Sequence, residues 1–213
     1  MQASTKPDKA SHALVALGAN LPGDRSTPDR TLTKALCLLA ANAIGGVWAS
    51  RLFSTPAMPT GSGPDYLNAA ASFRWSGTPE ALLSLLHGIE ADLGRTRDGR
   101  WTARIIDLDL IALDDAVCPD RAVQAHWAAM PLERASVEVP DRLILPHPRM
   151  AERSFVLVPL ADVAPDWRHP VNRLSVAQML AARPAPERAG IVAVPWPDGD
   201  APSPLSFAPP GDT

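Results

Sequence analysis

The apolar and polar positions fall into a strand, helix, strand, strand, helix, strand series. His12 to Gly18 (HALVALG) is a short apolar run ending in a Gly-Ala-Asn turn, which predicts a buried strand. Pro28 to Ala43 carries Leu32, Leu36 and Leu39 at helical spacing, and Gly45-Gly46 is expected to stop that helix. Val47 to Phe53 reads as a second strand and Tyr66 to Trp75 as a third. Thr78-Pro79 predicts a capped helix start, with Pro at the first helical position. The apolar face of that helix is Leu82, Leu83, Leu85, Leu86, Ile89 and Leu93, and Gly94 ends it. Arg104 to Leu113 is the fourth strand. The order predicts a single α+β domain of ferredoxin-like type, an antiparallel sheet with helices packed on one face.

The segments between these elements differ in kind. Residues 54–65 form a Pro/Gly/Ser loop, and a loop that long in a compact domain is usually functional. Residues 95–103 hold several arginines and little to bury, so the loop is expected to be mobile until an anion binds. Residues 114–142 read as a surface insertion, and Ser175 to Ala182 as a last helix. The domain is expected to span residues 12–183. Residues 184–213 contain eight prolines, which forbids long regular structure and predicts an extended or disordered tail away from any site.

Composition narrows the picture only a little. The 213 residues are 46% hydrophobic and 20% charged, ordinary for a globular domain. A net charge of −3 supplies no basic field for nucleic acid or an anionic membrane. Met1 to His12 lacks an apolar stretch, so no secretory leader is expected, and no run is long enough to span a bilayer. Cys37 and Cys118 form no motif and read as inert thiols of a reducing, cytoplasmic compartment.

The chemistry concentrates in three places. Within Ile105-Ile106-Asp107-Leu108-Asp109-Leu110-Ile111, Asp107 and Asp109 are two apart and share one face of a strand. Two like charges side by side in an apolar strand either face solvent or hold a cation between them. A pair of Mg²⁺ ions ~3.5–4 Å apart is one such solution, and Mg²⁺ fills most of its shell with water and phosphate oxygens. Arg95, Arg97, Arg100 and Arg104 precede the pair, and the guanidinium fork suits phosphate. Together they suggest a Mg-nucleotide site, although no Walker A sequence is present. The third cluster is Pro146-His147-Pro148-Arg149 followed by Glu152-Arg153-Ser154-Phe155, where His147 and Arg153 either serve structure or reach a nucleotide.

Four segments carry a resemblance: ALVALGANL, STP with a downstream DYLNAA, IEADLGRTRDGRWTARIIDLDLI, and LPHPRMAERSFVLVPLADVAPDW. In letters, order and spacing, from about Ala13 to Pro170, the chain resembles the 6-hydroxymethyl-7,8-dihydropterin pyrophosphokinase family. The resemblance implies Mg-dependent transfer of diphosphate from ATP to the pterin, giving AMP, in folate biosynthesis. It implies that Asp107 and Asp109 hold two Mg²⁺ ions, and that Arg95, Arg97 and Arg104 assist the phosphates. It places Glu90, His147 and Arg153 on the nucleotide side with Arg97 and Arg104. Thr55, Pro56, Tyr66, Asn68, Trp101 and Phe155 match pterin-side positions, with Phe155 as stacking wall. An aromatic face plus amide partners suits a flat heterocycle, while Tyr66 could equally be core. The expected partners are ATP and hydroxymethyl-dihydropterin, with no nucleic acid, no membrane and a monomeric chain.

Some positions depart from the family pattern. Gly-Ala-Asn stands where Gly-Ser-Asn is usual, Thr102 replaces a small loop residue, and His87 stands where Gln often occurs. The stretch between Asp109 and His147 is longer than usual. A non-catalytic paralogue would be expected to lose the Asp pair or the arginines, and neither is lost. A ferredoxin-like RNA-binding module would need aromatic residues on its inner strands, which are lacking.

Overall fold

The computed structural model of the chain describes residues 10–23, 26–57, 63–95, 105–135, 137–197 and, by their backbone, 205–207. The first seven elements are β1 (Ser11–Ala19), α1 (Pro28–Asn42), β2 (Ile44–Ala49), β3 (Leu52–Thr55), β4 (Tyr66–Trp75), α2 (Pro79–Asp92) and β5 (Asp107–Leu113). Their sheet runs β5-β1-β4-β2 with every neighbouring pair antiparallel, the ferredoxin-like order. Thr78 caps α2 as its sequence predicts, its hydroxyl accepting from Ala81 N–H at 3.2 Å.

The predicted second strand is broken in two. β2 and β3 both pair with β4, and Ser50 sits at the break. Its N–H donates to Ala70 O, and its hydroxyl accepts from Ala70 N–H, both at 2.9 Å. One side chain thus replaces a ladder bond where the strand turns. Gly45 and Gly46 do not stop α1, which ends at Asn42. They lie inside β2 with φ of 77° and 96°, at a register shift that side chains would strain.

Helices cover both faces of the sheet, not one. Ala13, Val15 and Leu17 pack with Leu32, Leu36 and Leu39 of α1 and Leu82 and Leu86 of α2. Leu14, Ala16, Ala70 and Ile111 pack instead against α5 (Ser154–Val163) and α6 (Val176–Ala181). The unbroken apolar run of β1 is what burial on both faces requires, whereas a half-exposed strand would alternate. Burial of both faces also fits the small residues Ala16 and Ala70, over which a helix can approach.

The insertion is helical and anchored. α3 (Arg121–Ala128) is capped by Asp120, whose carboxylate accepts from Ala122 and Val123 N–H at 2.8 and 2.9 Å; α4 is Leu132–Ala135. Gln124 donates to Pro146 O at 3.3 Å, and Cys118 and Leu145 exchange backbone bonds. α6 carries a reciprocal cap between Ser175 and Gln178, matching the predicted last helix.

The Pro-rich segment is not simply an extended or disordered tail. It forms α7 (Ala185–Ala189), then β6 (Val192–Val194) paired with β3, and β7 (Leu205–Phe207) paired with β2. Prolines exclude long elements, yet Pro195 and Pro197 stand outside the three-residue pairing of β6.

Candidate active site

The site is built where β1 and β3 end and where β4 and β5 begin. In the register, Gly18 of β1 lies between Asp107 of β5 and Asn68 of β4, and Ala16 lies between Asp109 and Ala70. Opposed residues share a face, so Asp107, Asp109 and Asn68 all look toward the α5 side. Gly18 leaves room here: a Cβ would stand 3.3 Å from Asn68 Oδ1, and the carboxamide would have to give way. Small residues in β1 and β4 therefore leave the space above the sheet to the carboxylates and the amide.

Each aspartate faces an arginine. Arg95 Nη1 lies 2.9 Å from Asp107 Oδ1 and also pairs with Glu90. Arg153 Nη1 lies 3.5 Å from Asp109 Oδ2. Glu90 is only 2% exposed, and its Oε1 accepts from Leu108 N–H at 2.7 Å. Burial pushes the Glu90 carboxyl up, the Leu108 bond and the Arg95 charge pull it down, and Asp107 adds to the rise. Glu90 is thus a strut that fixes both the start of β5 and the Arg95 fork.

His147 is fixed at its backbone by a 2.8 Å bond from its N–H to Ile111 O. Its Nδ1 accepts from Arg149 N–H at 3.2 Å, so the ring proton lies on Nε2. Desolvation lowers its pKa to about 4, Asp109 opposing and Arg153 adding to the shift. A neutral ring with its one N–H on Nε2 results.

The opposite wall is polar and aromatic. Asn68 Nδ2 donates to Thr55 Oγ1 at 3.0 Å, which joins β4 to β3. Tyr66 pairs with Thr55 and is half-buried on the Asn68 face rather than sealed in the core. Pro56 is exposed. Phe155, at the start of α5, is 39% exposed, and the Arg153 guanidinium lies 5.8 Å from its ring centre.

The predicted residues Arg95, Asp107, Asp109, Glu90, His147, Arg153, Thr55, Pro56, Tyr66, Asn68 and Phe155 fall on this end of the sheet and the loops and helix beside it. Arg97, Trp101 and Arg104 lie outside the described residues. Nothing in the sequence pointed to Gly18 as a floor or to Glu90 as a strut. The one trace of the latter is spacing: Glu90 follows Leu82 and Leu86 at intervals of four, on the apolar stripe of α2. Among the described residues no group of three His, Cys, Asp or Glu side chains converges on one point. The donor set still fits Mg²⁺, which takes one or two carboxylates and completes its shell with water and phosphate.

Fold and site together define a ferredoxin-like α+β domain whose charged cluster, acids matched to arginines, lies beside amide and aromatic side chains. The family model for 7,8-dihydro-6-hydroxymethylpterin-pyrophosphokinase (HPPK) matches residues 14–165, and the chain belongs to that family of enzymes. Three relatives carry the name 2-amino-4-hydroxy-6-hydroxymethyldihydropteridine pyrophosphokinase. The Synechocystis protein is 33% identical over 82% of this chain and 77% of its own length. The Methylorubrum extorquens protein is 37% identical over 72% of this chain and 83% of its own. The Bacillus subtilis protein is 36% identical over 71% and 77%. The fold is also that of the Plasmodium falciparum HPPK-DHPS crystal structure, with TM-score 0.58 at 14% identity over 83% of this chain. The chain spans 45% of that longer protein. No described helix is long and apolar enough to cross a membrane.

Proposed function

We propose that the chain transfers the diphosphate of ATP to the hydroxymethyl group of 6-hydroxymethyl-7,8-dihydropterin, releasing AMP, on the route to folate. The observation that carries this reading is the Asp107–Asp109 pair, matched to Arg95 and Arg153, on the same sheet face as Asn68.

The hydroxymethyl oxygen attacks the β-phosphorus and the bond to the α-phosphate oxygen breaks, so the diphosphate passes to the pterin. Such a transfer needs positioning and charge neutralisation more than covalent catalysis. Asp107 and Asp109 would hold the Mg²⁺, two ions in our reading, which when bound neutralises the polyphosphate. Arg95, tied to Glu90, donates to phosphate oxygens from a fixed position, with Arg97 and Arg104 supplying further cations. His147 offers its Nε2–H and Arg153 its guanidinium to the nucleotide. Asn68, held by Thr55, reads the edge of the pterin, with Tyr66 and Pro56 beside it; Phe155 stacks on one face and Trp101 closes the other. No side chain is assigned as general base.

We read the chain as a monomer, and folate-route chemistry supports action in the cytoplasm. An RNA-binding role would need an open sheet face, and α5 and α6 cover the one that α1 and α2 leave. The test is product analysis: ATP should yield AMP only when the pterin and Mg²⁺ are both present. ADP as product would place the attack at the γ-phosphorus and overturn the reading.

A further inference from the structure

The segment beyond the family match reaches both walls of the pterin side. β6 pairs along β3, with Leu52 opposite Val194, Phe53 opposite Ala193 and Ser54 opposite Val192, directly before Thr55. Without β6 that edge of β3 would present unpaired backbone groups. Gly190 packs beside Pro56: a Cβ on it would lie 3.6 Å from the proline ring, in ordinary van der Waals contact. Trp196 is 8% exposed, and its indole N–H donates to Ser50 O at 3.2 Å, at the break that separates β2 from β3.

The other wall is held by α7. Glu187 Oε2 accepts from the Ser154 hydroxyl at 3.1 Å, and the carboxylate is oriented by Arg183, whose Nη2 donates to Oε2 and Oε1 at 2.8 and 3.0 Å and whose Nε donates to Oε2 at 3.2 Å. Ser154 is 6% exposed and stands between Arg153, which faces Asp109, and Phe155. A buried hydroxyl that loses its acceptor must shift or admit water. Residues 183–197 therefore connect the β3 wall to the first turn of α5.

We propose that residues 183–197 are a strap that sets the separation of the two pterin walls, with Glu187 a positioning residue acting through Ser154 on Phe155. This rests on the pterin reading above. The strap explains why a segment outside the family match is nonetheless bonded at three points, to β3, to Ser50 and to Ser154.

The test uses the full chain with Glu187→Ala, Glu187→Gln, Ser154→Ala and the Glu187→Ala/Ser154→Ala pair. Glu187→Ala should raise KM for the pterin about three- to tenfold, with kcat and the ATP KM within about twofold. Glu187→Gln keeps an acceptor and should restore the parent value. The double variant should be no worse than either single one. Amide exchange at residues 154–157 should quicken in Glu187→Ala and not in Glu187→Gln. An unchanged pterin KM, a parallel rise in both KM values, or no rescue by Gln overturns the strap. A parent chain that makes no AMP removes the functional reading instead; the exchange measurement then decides alone, and unaltered exchange overturns the strap.

Discussion

Arg95 Nη1 lies 2.9 Å from Asp107 Oδ1 while the same guanidinium pairs with buried Glu90. One arginine therefore answers two acids, one partly exposed on the sheet face and one buried. Its removal leaves buried Glu90 without its cation, so the carboxyl must stay charged and unpaired or take up a proton. Arg95→Ala should lose about 3 kcal/mol of stability, measured by urea unfolding. Adding Glu90→Gln, which keeps an acceptor for Leu108 N–H, should recover most of that loss. Equal stability of the single and double variants would show that unpaired Glu90 is not the source of the loss, and a single variant as stable as the parent would show that the pair contributes nothing to the fold.

Asp107→Ala and Asp109→Ala remove the proposed Mg²⁺ ligands and also one of two like charges on a strand. AMP formation should fall by about three orders of magnitude, while the thermal midpoint stays close to that of the parent. Turnover near the parent rate in both variants would end the two-carboxylate account.

Gly18→Ala is a subtler probe. The new methyl would press on Asn68 Oδ1 at 3.3 Å, and the carboxamide must move away from its bond to Thr55. The pterin KM should rise about fivefold at little cost in stability, the scale of one neutral hydrogen bond. A parallel rise in the ATP KM would place Gly18 on the nucleotide side instead.

His169 predicts a pH dependence. It is 5% exposed, and its Nδ1 accepts from Val171 and Asn172 N–H at 3.2 and 3.3 Å. Burial lowers its pKa from 6.5 to about 4. The unfolded chain thus binds the proton first, so stability is full above pH 6.5 and falls as the pH drops toward 4. The loss approaches roughly 3 kcal/mol at the lower end. His169→Asn keeps an acceptor for the turn and should flatten the change in urea midpoint between about pH 7 and pH 5. An unaltered slope would assign it to other groups.

Much of the fold was legible because helices and strands have short periods. Leu32, Leu36 and Leu39 lie along one helical stripe, and all three are fully buried. Thr78 and Ser175 announce the helix starts that they cap. The break at Ser50 was not legible, because Val47 to Phe53 is a continuous strand-like run and only a serine hydroxyl bonding to Ala70 interrupts it. The Pro-rich segment misled for a related reason. Three-residue edge strands have no periodicity of their own, and their pairing is decided by which edge of the sheet stands open.

The sequence by itself determined that Asp107 and Asp109 share a face, since side chains in a strand repeat every two residues. It also determined which residues cap the helices and which stripes seek burial. Only the tertiary structure decided that Arg153, 44 positions away, meets Asp109, that Glu90 is buried beneath Arg95, and that Glu187 bonds Ser154. These meetings depend on strand register and on helices packed over both faces. Those follow from the packing of the whole chain, because an alignment of distant segments leaves no local period to read.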